Sequence, residues 1–243
     1  MTDAPQGFSI DELAVGARGT CRGGELTLGD SLSVSLKNAR RWEDNLLSLK
    51  VDLTNPAVTS AWRCAWDALN ARQVSYKAEI IADEIVSPTT RKHSVLVQQI
   101  SKSFGNILEA TRQFELANEI GIRALIGLGT GLTPSGDDLL LGYMAGLWCT
   151  VKGKQERQDF LSSFCEAVVL LSNRTNDISR TFLYHAARGY VSSRLFNLAT
   201  VICNGSDLQQ VCECAEAAMQ LGHSSGMDAV TGLLAGLAVW NRP

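Results

Sequence analysis

The chain has 243 residues, 45% of them hydrophobic and 19% charged, with 22 Lys+Arg against 25 Asp+Glu and a net charge of −3. Those proportions exclude a disordered, collagen-like or coiled-coil chain and describe a globular protein with ample material for a core. A balance this close to neutral also argues against nucleic acid as a partner, because binders carry a strongly basic face.

Met1 to Gly16 lacks a basic segment followed by an apolar one, so no secretory signal is expected there. Period-2 alternation follows at Leu26 and Leu28, at Leu32, Val34 and Leu36, and at Leu47, Leu49, Val51 and Leu53. Gly23-Gly24 and Gly29-Asp30 punctuate these runs, which read as half-buried strands. Pro56 to Arg72 reads as a helix with Ala57, Ala61, Cys64, Ala65 and Leu69 on one face, and Tyr76 to Val86 fits either state. Beyond residue 90, apolar spacings of three and four dominate: Val95 to Ile120, Phe160 to Leu171, Ile178 to Ala187, Leu195 to Ile202, Leu208 to Met219 and Asp228 to Trp240. The longest apolar run, Leu139 to Val151, is shorter than the roughly 20 residues of a membrane span and reads as a buried helix.

Strands first and helices afterwards predict an α+β chain. The expected parts are a β-rich segment over 1–90 and a mainly helical one over 91–243, packed as one unit because no long linker separates them. Seven cysteines scattered through apolar contexts form no disulfide framework and no zinc set. They fit a reducing cytoplasm, and no metal or other cofactor is expected.

The informative feature is an internal repeat offset by 90 residues. Ser135 to Leu147 aligns without a gap on Ser225 to Leu237, with seven identities in thirteen positions in the pattern S-G-x-D-x3-G-x2-A-G-L. Ser135-x-x-Asp138 and Ser225-x-x-Asp228 have the form of capping boxes, which predicts a helix start at each. Gly127, Gly129, Gly131 and Gly222 lie just upstream, where glycine permits unusual backbone angles and close approach of a ligand. Free N–H groups and the positive helix end would then bind anions through Gly129, Thr130, Gly131, Thr133, Ser135 and Gly136, and through Ser224, Ser225 and Gly226. Gly142, Gly146, Gly232 and Gly236 are interior to the helices, where each costs about 1 kcal/mol relative to alanine. Close packing of the two helices across a local two-fold would offset that cost.

Asp137, Asp138 and Asp228 are candidate general bases or amide-orienting groups, with capping as their structural alternative. Asp137 has no counterpart in the second copy, where Met227 stands. His223, just before the second helix start, could donate to a phosphate or polarise a carbonyl. A third cluster runs from Asn173 to Arg180, within a stretch from Ala167 to Ser206 whose charges are Arg174, Arg180, Arg188 and Arg194 against Asp177. Arg174, Thr175, Ser179 and Arg180 are its candidate anion contacts. No nucleophile triad, phosphate-cradling Gly-Lys motif or dinucleotide fingerprint is present.

These three clusters together resemble the AllH-like family, bacterial proteins typified by a subunit of oxamate carbamoyltransferase and otherwise uncharacterised. The resemblance rests on Gly129-Thr-Gly-Leu-Thr-Pro-Ser-Gly-Asp-Asp138, on Thr175 to Tyr190, and on Leu221-Gly-His-Ser-Ser-Gly-Met-Asp228. It covers residues 120–243 well and the β-rich part loosely. The resemblance implies a subunit acting with two other proteins in allantoin catabolism. It also implies carbamoyl exchange between oxalurate plus phosphate and oxamate plus carbamoyl phosphate. Family sequences can carry histidine where this chain has Gly136. Two other readings stand beside it: a non-catalytic scaffold subunit, and a stand-alone metal-dependent enzyme with Asp137, Asp138 and Asp228 as oxygen ligands. No membrane partner is expected, and the pattern leaves self-association as a homo-oligomer open.

Overall fold

The computed structural model describes residues 16–29, 32–39, 44–86, 94–115 and 119–240. The reading of residues 1–15 as free of a signal, and the turn residue Asp30, lie outside them. The chain divides into two compact units, Met1–Glu43 and Asp44–Pro243.

The first unit holds an antiparallel sheet in the order β1 (Gly19–Arg22), β2 (Glu25–Leu28), β3 (Leu32–Ser35). Arg22 pairs with Glu25 across Gly23 and Gly24, whose φ values of +59° and +78° are those a two-residue hairpin turn requires. Leu26 lies opposite Val34 and Leu28 opposite Leu32, so the alternation in the sequence marks one apolar face of this sheet.

The second unit is helical among its described residues. Its helices are α1 (Pro56–Tyr76), α2 (Ala82–Val86), α3 (Val95–Arg112), α4 (Glu119–Leu125), α5 (Ser135–Trp148), α6 (Gln155–Leu171), α7 (Asp177–Ala186), α8 (Ser193–Cys203), α9 (Leu208–Met219) and α10 (Ser225–Ala238). The α+β class therefore holds. None of the described helices is long and apolar enough to cross a membrane.

The strand expected over Leu47 to Leu53 is not formed. Leu46–Ser48 is a 3-10 turn capped by Asn45, whose Oδ1 accepts the Leu47 N–H. Leu46, Val51 and Leu53 are buried while Leu47 is 54% exposed. The backbone of this segment bonds to helix ends instead of a strand: Leu46 N–H to Gly189 O at 2.9 Å and Val51 N–H to Cys149 O at 2.8 Å. A chain laid over helix ends buries side chains intermittently, which imitates a strand period. The single helix expected over Val95 to Ile120 also stops early. α3 ends at Arg112, and Phe114 takes a left-handed φ of +55°.

α1 begins as its sequence indicates, with Asn55 accepting the Ala57 N–H and Pro56 in the first turn. Its buried face is Val58, Ala61, Ala65, Leu69 and Gln73, whereas Ala57 is exposed. Gln73 is fully buried and satisfied at both ends, accepting from Ala82 N–H at 2.8 Å and donating to Thr231 Oγ1 at 3.2 Å.

α5 and α10 form the centre of this unit, and glycine is what allows their contact. A Cβ on Gly142 would lie 1.8 Å from Ala229 O, and one on Gly232 would lie 2.1 Å from Leu139 O. The next pair repeats the relation, Gly146 against Leu233 O at 2.4 Å and Gly236 against Tyr143 O at 2.6 Å. Each contact maps onto its mate by the 90-residue offset of the repeat. The two helices are therefore related by a local two-fold and run in the same direction, backbone against backbone.

This packing fixes the response to substitution. Gly142→Ala and Gly232→Ala each place a methyl inside a backbone carbonyl, and each is expected to lower stability by about 3 kcal/mol or more. Gly105, within α3, has nothing within 4 Å of a built Cβ. Gly105→Ala is expected to raise stability by about 0.5–1 kcal/mol. Urea denaturation of the three variants checks this; a neutral Gly142→Ala would refute the packing.

Candidate active site

Because α5 and α10 are parallel, their N-terminal ends emerge together. The capping boxes expected there are not formed. Pro134 and Ser224 occupy the cap positions without a side-chain cap bond, and Ser135 and Ser225 are the first helical residues. The preceding loops supply acceptors instead: Gly136 N–H bonds to Leu128 O at 2.9 Å and Gly226 N–H to Leu221 O at 2.8 Å. Asp137 and Asp138 N–H bond to Pro134 O at 2.9 and 3.1 Å, and Asp228 N–H to Ser224 O at 3.0 Å. These five donors, on which an anion cradle would draw, are thus engaged within the chain.

Gly136 and Gly226 are also set by packing. A Cβ on Gly136 would meet Leu125 O at 2.1 Å, and one on Gly226 would meet Ala218 O at 2.4 Å. A histidine at position 136 would require the Leu125 carbonyl at the end of α4 to move. Gly129 has φ +125° with the Ser135 N atom 2.7 Å from a built Cβ, so the loop can fold back on the helix start only with glycine there. Thr130 and Gly131 are exposed at the loop tip, beside Leu132 at 72% exposure.

The three aspartates are buried and do different things. Asp137 is a tie: its Oδ1 accepts Gly127 N–H at 2.8 Å and its Oδ2 accepts the Thr175 hydroxyl at 2.5 Å. Burial pushes its carboxyl up, opposed by these two bonds and by the Ser179 hydroxyl beside it. Ser179 Oγ is itself buried and makes no bond of full hydrogen-bond geometry. Asp137 thereby joins the glycine-rich loop to the entry of α7, a role consistent with its having no counterpart in the second repeat.

Asp138 and Asp228 form the two-fold-related pair. They are only 6% and 2% exposed, and the Oδ2 atom of each is buried with no hydrogen-bond partner. Each is served by hydroxyls, and mainly from the opposite repeat. Burial pushes Asp138 up to about 8, against the pull of the Ser225 hydroxyl; the neighbouring Asp228 raises it further, Thr133 lowers it and Asp137 raises it. Burial likewise pushes Asp228 up to about 7, against the hydroxyls of Ser135 and Ser224. Thr133 Oγ1 and Ser225 Oγ, 2.6 Å apart, bridge the first loop to the second helix start. The arrangement holds two carboxyl groups, each with an unpartnered oxygen, in a ring of hydroxyls at near-neutral proton affinity.

Arg174, Arg180 and His223 are not among the groups that act on this pair. Arg174 is exposed, with its backbone carbonyl 3.0 Å from a built Cβ on Gly127. Arg180 is exposed and pairs with Asp177 on its own helix at 2.8 Å. His223 is exposed, its ring edge-on to Tyr76 with centroids 5.7 Å apart. Among the described residues no three His, Cys, Asp or Glu side chains converge to hold a metal ion, so Asp137, Asp138 and Asp228 do not form such a set. Sequence reasoning passed over Asn176. It caps α7 by accepting from Ile178 and Ser179 N–H, and its Nδ2 donates to Leu132 O at 2.9 Å, holding the loop tip. Its signal was available, since asparagine immediately before a helical run is a preferred cap.

Residues 125–237 match the family model described as oxamate carbamoyltransferase subunit AllH. The matched stretch runs from the end of α4 into the last turn of α10 and includes both helix starts and the α7 entry. No solved structure matches the chain.

The carboxyl pair makes stability pH-dependent in a definite sense. The folded state retains protons on Asp138 and Asp228 that the unfolded chain releases near the ordinary value of 3.8. Stability therefore falls as pH rises from about 4 to about 8 and levels off above. Asp138→Asn removes part of that penalty, so its melting temperature is expected to exceed the parent's at pH 8.5 and to vary less with pH. Calorimetry across this range checks it, and an unchanged slope would show that Asp138 is ionised in the fold.

Proposed function

From the AllH-like family assignment over residues 125–237 we propose that this chain is a working subunit of a carbamoyltransferase. The reaction is exchange between oxalurate plus phosphate and oxamate plus carbamoyl phosphate. The observation that carries the reading is the Asp138/Asp228 pair, two buried carboxyls with free oxygens in a ring of hydroxyls. In the phosphorolysis direction a phosphate oxygen bonds to the ureido carbonyl carbon, and the bond from that carbon to the oxamate nitrogen breaks. Asp138, protonated at neutral pH, gives its proton to the departing nitrogen and regains one from the phosphate. In reverse it takes the proton from the attacking amide. The hydroxyls of Thr133, Ser135 and Ser225 are donors for the carbonyl oxygen as charge develops on it. Asp137 and Thr175 hold the glycine-rich loop, and Arg174, exposed beside that loop, is a cation for an anionic end of the substrates.

Partner subunits fit this reading through one surface feature. Ile178 and Phe182, one helical turn apart on α7, are 44% and 48% exposed, and Asn176 ties the exposed Leu132 to the same helix end. A partner seated there would cover the loop tip. The scaffold alternative assigns the whole repeat to architecture, and the unpartnered carboxyl oxygens weigh against it.

The test is oxalurate phosphorolysis by the co-expressed partner subunits with and without this chain, read as carbamoyl phosphate. Activity is expected only with the chain present. Asp138→Asn should lower kcat by about 100-fold or more, and the parent rate should decline above pH 8. Full turnover without the chain would overturn the proposal, and full turnover with Asp138→Asn would remove Asp138 from the chemistry. Phe182→Glu is expected to weaken co-purification with the partners.

A further inference from the structure

A second polar constellation lies at the opposite end of α5 and α10. A cavity of about 610 Å³ is lined by Arg112, Phe114, Lys154, Glu156, Arg157 and Trp240, with Gly153 and Gln155 between them. Its residues follow the C-terminal ends of both helices, Trp240 just after α10 and 153–157 just after α5. A 14-residue helix is about 21 Å long, so the cavity is separated from the carboxyl pair by roughly that distance.

Three cations meet here. Arg112 pairs with Glu109 at 3.2 Å through Nη1, but its Nε is buried with no partner. Lys154 and Arg157 have no carboxylate within ion-pair distance among the described residues. Glu156 adds one negative charge to the lining. Arg157 bonds Thr150 O at 3.2 Å and lies over the Trp240 ring at 4.9 Å, which fixes its guanidinium and leaves further N–H groups unengaged. Burial lowers the proton affinity of Arg157, and the neighbouring Glu156 carboxylate raises it. The same wall contains the start of α6, capped by Lys154 without a side-chain bond. Among the described residues the N–H groups of Gln155, Glu156 and Arg157 have no backbone acceptor. Trp240 and Phe114 stack at 5.4 Å and supply the apolar side.

Neutralising the carbonyls at the end of α5 explains one nitrogen of Arg157. It does not explain Lys154 or a cavity of this size. We infer that this cavity is a binding site for a small molecule carrying a phosphate dianion, held by Arg112, Lys154, Arg157 and the start of α6. Its volume suits a ligand up to the size of a nucleoside monophosphate, with the Trp240 and Phe114 side against the non-phosphate part.

Calorimetric titration of the full chain with inorganic phosphate and with AMP, at pH 7.5 and low salt, tests the site. Saturable one-to-one binding is expected, weakened by added KCl. Lys154→Gln, an exposed position, should weaken it about tenfold, as loss of a charge-assisted bond does. Glu156→Gln should tighten it. Asp138→Asn should leave it unchanged, which separates this site from the carboxyl pair. AMP binding tighter than phosphate identifies a nucleoside-linked ligand, and equal affinities identify free phosphate; both support the site. No saturable binding, or binding indifferent to Lys154→Gln and Glu156→Gln, overturns it. These outcomes are independent of whether the chain supports carbamoyl transfer.

Discussion

Everything in the helical unit is arranged around the close contact of α5 with α10. Four interior glycines let each helix backbone press on the other, and the reciprocal contacts of Gly142 with Ala229 and of Gly232 with Leu139 leave no room for a methyl group. Glycine is a poor helix former, so two helices with this composition would be weak alone. Together they recover that cost through close packing and burial of Leu139, Leu140, Tyr143, Leu147, Leu233, Leu234 and Leu237. The surrounding helices then bury the pair, and Thr111 and Gln73 provide hydroxyl and amide partners for Tyr143 and Thr231 inside it.

The parallel course of the pair has a chemical consequence. Both N-terminal ends reach the same side, so the two-fold brings Asp138 and Asp228 together with hydroxyls supplied mainly by the opposite copy. The pair is costly to keep ionised, because burial and mutual repulsion both favour the protonated form. Groups held at a cost to stability near neutral proton affinity suit proton transfer, which is why the carboxyl pair rather than the loop N–H donors carries the functional reading. The two-fold is broken in the loops before the helices. Gly136 N–H reaches back to Leu128 whereas Gly226 N–H reaches only to Leu221, and the longer first loop is the one anchored by Asp137 to Gly127 and Thr175. The site is therefore symmetric in its carboxyls and asymmetric in its walls.

The misreadings share a cause. Alternation at Leu26, Leu28, Leu32 and Val34 is a true sheet face, because those residues pair across a hairpin. Alternation from Leu47 to Leu53 has the same look but belongs to a segment bonded to Gly189 and Cys149. Periodicity reports which side chains are buried, not what buries them. The Ser-x-x-Asp pattern likewise fits a capping box, yet loop carbonyls accept the first donors and leave the serine and aspartate side chains to face one another across the two-fold.

The sequence by itself determined the α+β order, the main helices, the repeat and the inference that its interior glycines mark close helix packing, because these follow from local spacing and from the cost of glycine in a helix. It also contained all three buried aspartates and set Asp137 apart by its lack of a repeat counterpart, but not by what each carboxyl bonds to. Only the tertiary structure decided that Asp137 is a satisfied tie while Asp138 and Asp228 keep unpartnered oxygens. It also placed His223 against Tyr76 and left Arg174 and Arg180 exposed. The physical reason is that hydrogen-bond satisfaction and burial are properties of chain segments some forty to a hundred and fifty residues apart brought into contact, and residue spacing along one segment does not encode them.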